Sequence, residues 1–281
     1  MSSQTLTGTC NLCGKSFSRA SMTRHLKTCG LPDPKAPIAA APAKLSPSQR
    51  FHLFVEARYA KTFWLHLTVP VEAPLDRVDA FLRQIWLECC GHLSAFTIAG
   101  KRYASDAMKD SGESGMKARL GRLLQPGMAF AYEYDYGSTT ELNLKVVGLR
   151  DGGTKQGAVE LLARNDAPQV ACERCGGQPA TQICTECVYK DQGWLCESCA
   201  DNHECGAEMC LPVVNSPRAG VCGYTGLAQK FSNLRRTTLG LCQPARQELF
   251  AQLRMPALME RGKHGGPVRA DNCYNCPRLK T

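Results

Sequence analysis

The chain has no stretch approaching the about eighteen consecutive apolar residues that would mark a membrane span. Its Met-Ser-Ser start carries no apolar segment of the kind that precedes secretion, which leads to the expectation of a cytoplasmic protein. A phosphate-cradling glycine loop, a G-x-S-x-G elbow and an H-E-x-x-H pair are all missing. No motif therefore supports nucleotide chemistry, serine hydrolysis or a small-molecule substrate, and the expectation is a protein that is not an enzyme. Acidic residues are scarce at the start: Asp33 stands alone against Lys15, Arg19, Arg24, Lys27, Lys35, Lys44 and Arg50. With 281 residues, the chain suits two or three small units better than one large core.

Cysteine, by contrast, is abundant. The 17 cysteines fall mostly in C-x-x-C pairs, a turn that aims two sulfurs at one metal ion. In a reducing compartment such pairs hold metal; the competing reading, a disulfide framework, requires an oxidising one. The densest run is Cys172 to Cys210, with the pairs Cys172/Cys175, Cys184/Cys187 and Cys196/Cys199 at twelve-residue intervals, followed by His203, Cys205 and Cys210. Eight ligands suffice for two tetrahedral zinc ions. In a sequential ribbon the first and second pairs share one ion. In a cross-brace the first pair joins the third, and the second joins His203 and one more cysteine. The equal loops and the late histidine favour the cross-brace, and the ligand order resembles a B-box. Cys205, Cys210 and Cys222 all compete for the eighth position.

Near the start, Cys10 and Cys13 form another such turn, and His25 and Cys29 lie four apart, on one helical face. Phe17 and Met22 would plug the space between hairpin and helix. The run C-N-L-C-G-K-S-F-S with its late His and Cys resembles a two-Cys/two-His zinc finger with cysteine in the last ligand position. Eleven residues separate Cys13 from His25, where that family has twelve. The resemblance implies base reading by Ser21 and Arg24, with Arg19 and Lys27 as further nucleic-acid contacts. Counting three occupied sites, the formal charge of +9 falls to about +5, because bound cysteines give up their protons.

Residues 31–50 are rich in Pro and Ala and read as a linker. From Phe51 the pattern becomes that of a folded core. F-H-L-F-V-E-A-R-Y-A-K-T-F-W-L-H-L-T-V-P reads as one or two strands. Leu75, Val78, Phe81, Leu82, Ile85 and Trp86 follow at helical spacing, with Asp76 near the helix start. A short strand pair is expected around Gly100 and a short helix before Pro126. Met128, Phe130, Tyr132, Tyr134 and Tyr136 alternate with Glu133 and Asp135 along a strand. The order predicts an α+β fold: an antiparallel sheet with packed helices, flanked by small zinc-stabilised modules.

The segments L-H-L-T-V-P-V-E-A-P-L-D-R-V-D-A-F-L-R-Q-I-W, G-H-L-S-A-F-T-I and L-L-Q-P-G-M-A-F-A-Y-E-Y-D-Y-G resemble the plasmid pRiA4b ORF-3-like family over roughly residues 51–165. Ser138 and Thr140 stand where that family usually has Asp and Trp. The resemblance implies a compact α+β domain found in bacteria and on mobile elements, and no reaction.

The expected organisation is a finger (1–30), a linker (31–50), the α+β domain (51–168), a two-zinc module (169–225) and a basic, partly helical tail (226–281). In the tail, Cys273 and Cys276 form half a site that Cys242 and His264 could complete. Three side-chain groups have the residue types of catalytic sites. Cys89, Cys90 and His92 read as thiols packed at a helix end. Glu133 and Asp135 could hold magnesium, but read better as a solvent face. His52 and His66 read as structural. The function expected is a zinc-binding regulator with DNA or RNA contact, with a protein-interaction adaptor as the alternative.

Overall fold

The computed structural model describes residues 6–30, 45–108, 112–151, 158–190 and 192–226. The linker as far as residue 44 and the tail with Cys242, His264, Cys273 and Cys276 lie outside the described residues. Strands β1 (Thr7–Cys10) and β2 (Ser16–Ser18) form a hairpin leading into α1 (Arg19–His25). Ser18 caps this helix by accepting from the Ser21 N–H. A long hairpin follows, β3 (Gln49–Ala57) and β4 (Trp64–Pro70). Helix α2 (Asp76–Leu82) widens into a π-turn over Arg83–Leu87. Strands β5 (Ser94–Ile98) and β6 (Lys101–Ala104) are joined by Ala99 and Gly100, with φ of 49° and 78°. Both values are left-handed, as a tight two-residue hairpin requires. Strand β7 (Ser114–Gly115) and helix α3 (Leu120–Leu123) precede the last three long strands: β8 (Ala129–Tyr134), β9 (Thr140–Asp151) and β10 (Glu160–Asn165).

Among the described residues these strands form one ten-stranded sheet, ordered β2-β1-β10-β4-β3-β9-β8-β5-β6-β7. All neighbours are antiparallel except β6 and β7. One face packs against α2. Leu75, Val78, Phe81, Leu82, Ile85 and Trp86, the residues at helical spacing, are all buried there against Phe51, Leu53, Leu65, Leu67, Tyr132 and Leu144. The fold is α+β with a mainly antiparallel sheet, as expected. No helix among the described residues is long and apolar enough to cross a membrane.

The opposite face of β3 and β4 holds a surprise. The N-terminal finger is not tethered beside the sheet but continues it. Strand β1 pairs with β10, setting Gly8 opposite Asn165 and Cys10 opposite Ala163. Met22 and Leu26 of the finger are buried with Trp64, Leu162 and Ala163. A Cβ at Gly8 would fall 2.5 Å from the Trp64 ring, so the close approach requires glycine. Arg150, on β9, donates to the carbonyls of Leu26 and, at 2.7 Å, Cys29. The paired edge of β10 and this shared apolar cluster make the finger part of the α+β body.

Under the finger lies a buried histidine pair. His52 Nε2 and His66 Nδ1 are 2.9 Å apart, and His66 Nε2 is 3.3 Å from the Thr23 hydroxyl. Burial pushes His66 down to about 3 and His52 well below its ordinary value. Both rings are therefore neutral in the fold but take up protons near pH 6.5 once unfolded. A base held down in this way costs nothing above pH 6.5; stability is lost as pH falls below the unfolded value and levels off near the folded one. For His66 the loss from pH 6.5 to 5 is expected to be about 2 kcal/mol. Urea unfolding of metal-loaded protein at the two pH values checks this, and His66→Asn should flatten the slope.

The Cys-rich segment folds around a three-stranded sheet, β11 (Gln182–Cys184), β12 (Trp194–Leu195) and β13 (Cys210–Pro212), in the order β12-β11-β13. Helix α4 (Glu197–Asp201) lies between β12 and β13 in the chain. Residues 213–226 run on from β13, with Val213 donating to the Thr181 carbonyl of the module at 2.9 Å and Gly220 set against Ile183. They return as a strap along the α+β body. Asn215 and Asn165 exchange hydrogen bonds of 2.8 and 2.9 Å, and Ser216 donates to the Trp86 carbonyl at 2.6 Å. Arg218 is completely buried, 2.6 Å from Asp135.

Candidate metal centres

Four groups of Cys and His side chains converge in the described residues, each with ligand atoms within 4.8 Å of one another. In a tetrahedral zinc site, metal–sulfur and metal–nitrogen bonds of about 2.3 and 2.0–2.1 Å place sulfurs about 3.8 Å apart and sulfur from nitrogen about 3.6 Å. Disulfide sulfurs would sit about 2.05 Å apart.

The first group is Cys10, Cys13, His25 and Cys29. The β1–β2 hairpin supplies the first two, and the end of α1 with the turn after it supplies the others. Cys10 Sγ lies 3.9 Å from Cys29 Sγ, and Cys13 Sγ lies 3.3 Å from His25 Nε2. The His25 ring stacks on Phe17, centroids 4.2 Å apart, so the expected plug residue also orients a candidate ligand.

The second and third groups divide the Cys-rich module. Cys172, Cys175, Cys196 and Cys199 form one; Cys184, Cys187, His203 and Cys205 form the other. This is the cross-brace wiring. The Sγ atoms of Cys175 and Cys196 are 3.8 Å apart, and those of Cys187 and Cys205 3.6 Å apart. Burial would push the Cys172 thiol up, but the backbone N–H groups of Cys196, Cys175 and Arg174 outweigh it and bring it down to about 6. Such a thiol is ready to bind as thiolate. His203 Nε2 is buried without a hydrogen-bond partner. An unpaired buried nitrogen costs about 1–3 kcal/mol, and a metal ion in this group removes that cost. The donor sets suit zinc.

Cys210, expected among the ligands, is not in the group. It pairs with Cys184 across β13 and β11, and its sulfur lies 3.9 Å from the Gly206 carbonyl. Its sulfur packs beside the turn that carries His203 and Cys205 but lies outside the four ligand atoms that converge there. Cys205→Ser is therefore expected to release one ion and Cys210→Ser none, read by native mass spectrometry.

The fourth group is Cys89, Cys90, His92 and Cys222. Reading the first three as packed thiols missed it. Cys222, a contender for the central module, belongs here instead. Its partners are 132 residues earlier, so no local spacing reveals them. The available signal was the ligand-rich run Cys-Cys-Gly-His beside a cysteine left over elsewhere.

The expected nucleic-acid residues have unequal fates. Arg19 pairs with Glu56 at 2.5 Å, and Ser21 is engaged by Ser18 at the helix cap. Arg24 and Lys27 are exposed. Glu133 and Asp135 do not form a carboxylate pair. Glu133 pairs with Arg102, whereas Asp135 leaves the strand with φ of 66° and pairs with Arg218. The left-handed turn at Asp135 ends the alternation, which also leaves Tyr136 exposed.

The family model for plasmid pRiA4b ORF-3-like proteins matches residues 53–198, just over half of the chain. The chain belongs to the plasmid pRiA4b ORF-3-like family. In this member the match runs past the resembling region of roughly 51–165. It continues into the cross-brace and takes in Cys172, Cys175, Cys184, Cys187 and Cys196. A crystal structure of a protein of unknown function from Methanosarcina mazei Go1 is also similar, with 13% identity and a TM-score of 0.37. The similarity covers 41% of this chain and 68% of that one. No curated protein matches the chain.

Proposed function

We propose that this pRiA4b ORF-3-like protein is a zinc-built, non-catalytic interaction adaptor, with the cross-brace module as its protein-docking element. The observation that carries this reading is the way the finger is used. Its Met22 and Leu26 are spent on the sheet and its Arg19 on Glu56, so it serves the body of the protein more than a nucleic-acid groove. The metal groups support it too. Each offers four protein ligands, and a zinc ion so enclosed is structural, with no open position for water. The cross-brace, in turn, presents exposed Glu186, Glu197, Asp201, Glu204 and Glu208 with the exposed ring of Tyr189. That surface fits a basic protein segment and repels phosphate.

Nucleic-acid contact is the second reading, favoured by exposed Arg24 and Lys27 on a chain of formal charge +9. A titration of zinc-loaded protein against mixed duplex DNA at two salt concentrations separates the two. The adaptor reading expects at most weak binding that fades with salt and shows no preference among sequences. Tight, sequence-selective binding that Arg24→Ala abolishes would sink it and restore the nucleic-acid reading.

A further inference from the structure

We infer that Cys89, Cys90, His92 and Cys222 form a fourth zinc site, which clamps the strap of residues 213–226 to the α+β body and is the one that exchanges its metal most readily. The sulfur–sulfur distances and the Cys222–His92 distance are those of a tetrahedral thiolate site, and the Cys90–His92 contact is shorter. Cys90 Sγ is 3.8 Å from Cys89 Sγ and 3.6 Å from Cys222 Sγ, while His92 Nε2 lies 3.6 Å from Cys222 Sγ and 2.9 Å from Cys90 Sγ. All these sulfur separations are far beyond the about 2.05 Å of a disulfide. Three thiolates and an imidazole are soft donors that suit zinc.

What surrounds the ligands supports a site and not a chance cluster. The loop leaving the π-turn is held from several sides. Arg83 donates to the His92 carbonyl at 2.7 Å, Glu88 accepts from the Gly91 N–H at 2.6 Å, and Gly91 takes the left-handed φ of 80° that the turn needs. His92 turns its Nδ1 toward Asp135 Oδ1, 3.6 Å away, which leaves Nε2 facing the thiols. At this distance the contact is electrostatic, with Asp135 Oδ1 accepting from the Gly137 N–H at 3.0 Å, and a negative carboxylate behind the ring favours a bound cation in front of it. The other oxygen of Asp135 accepts from Arg218, four residues before Cys222 on the strap. The strap thus delivers both a ligand and the cation that anchors the carboxylate behind another ligand. Cys222 itself sits in a left-handed turn, φ 55°, immediately before Gly223.

Cys90 and Cys222 are exposed, whereas Cys10, Cys172, Cys184 and Cys196 are buried in the other groups. A chelator in solution reaches this site first. Binding releases the protons of the thiols that ligate, and the ion joins residues 132 positions apart, closing a long loop of chain.

The test uses the full chain with Cys242, Cys273 and Cys276 replaced by serine, so that tail thiols cannot contribute. Native mass spectrometry of zinc-loaded protein is expected to count four ions. Cys222→Ser and Cys205→Ser should each hold three, and the double variant two. Under graded chelation the first ion lost from the parent should be the one missing from Cys222→Ser, and proteolysis within residues 213–226 should rise with that loss. A parent that saturates at three ions, or a Cys222→Ser variant that still holds four, overturns the site. Should Cys222→Ser lose more than one ion, Cys89→Ser decides, since it must lose just one. Release of the other ions before this one overturns the claim of ready exchange.

Discussion

Stripping metal from the zinc-loaded protein with a strong chelator is expected to unfold residues 172–212 while the ten-stranded sheet persists. The module has almost no apolar core of its own. Its buried cluster consists of Cys172, Cys184, Leu195, Cys196 and Ala200, so three of its five members are candidate metal ligands. Burying a residue such as Leu195 contributes about 1.5–3 kcal/mol, whereas ordering each residue's backbone costs about 1–2 kcal/mol. A structural zinc ion contributes about 10–16 kcal/mol in small finger peptides near pH 7, so two such ions would dominate the module's stability. Metal loss also returns Cys172 and its partners to free thiols and leaves His203 Nε2 buried without a partner.

The finger should respond differently. Strand β1 is hydrogen-bonded to β10, and Met22 and Leu26 are buried against Trp64, contacts that do not depend on metal. Hydrogen exchange after chelation is therefore expected to show lost protection in β11, β12 and β13, partial loss around Cys29, and retained protection in β1, β3, β4 and β9. A cross-brace that stays protected once elemental analysis shows no metal would mean that packing alone folds it. A finger that unfolds together with the cross-brace would show that its docking on the sheet is weaker than the buried cluster indicates.

That contrast also marks what could be read from the chain alone. The α+β body was legible because its signals are local. The helical spacing of Leu75 to Trp86 and the alternation of Phe130, Tyr132 and Tyr134 each dictate a buried face. The two-site cross-brace was legible because equal C-x-x-C intervals carry geometry in their spacing. The docking of the finger was not. Met22 and Leu26 look the same whether they plug a free finger or cover a sheet, and the partner strand β10 follows some 150 residues later. His66 gave a faint hint, since the second face of β4, with Trp64, His66 and Thr68, is aromatic and imidazole-bearing and not charged, and such a face expects a cover. Asp135 misled for a physical reason. Alternation assigns it to the face of Glu133 only if the strand continues, and its left-handed backbone ends the strand there.

Arg218→Met is expected to destabilise the body by about 3–5 kcal/mol, the usual result of removing one partner of a buried ion pair. Arg218 is fully buried; it donates to Asp135 at 2.6 Å, to the Ser138 carbonyl at 3.0 Å and to Thr140 Oγ1 at 3.1 Å. Its guanidinium also lies 4.9 Å from the centre of the Tyr134 ring. Burial would push the Asp135 carboxyl up, but the hydrogen bond from Arg218 outweighs it and holds the group below its ordinary value. A carboxyl held down in this way stabilises the fold above its unfolded value and loses that contribution as pH falls through the folded one. The penalty of Arg218→Met should therefore shrink in acid, where the stranded carboxylate takes a proton. Asp135→Asn is the matching partner variant, because asparagine tolerates the left-handed backbone at φ 66°. With both changes the stranded charge is gone, so the double variant should be less destabilised than the sum of the singles, a coupling that urea unfolding measures directly. Additive single effects would show that the pair contributes no specific interaction. Because the same strap carries Cys222, Arg218→Met should also weaken metal retention by the Cys89, Cys90, His92 and Cys222 group while leaving the two cross-brace ions in place. Unchanged retention at that group would show that Arg218 holds the strap's first half alone.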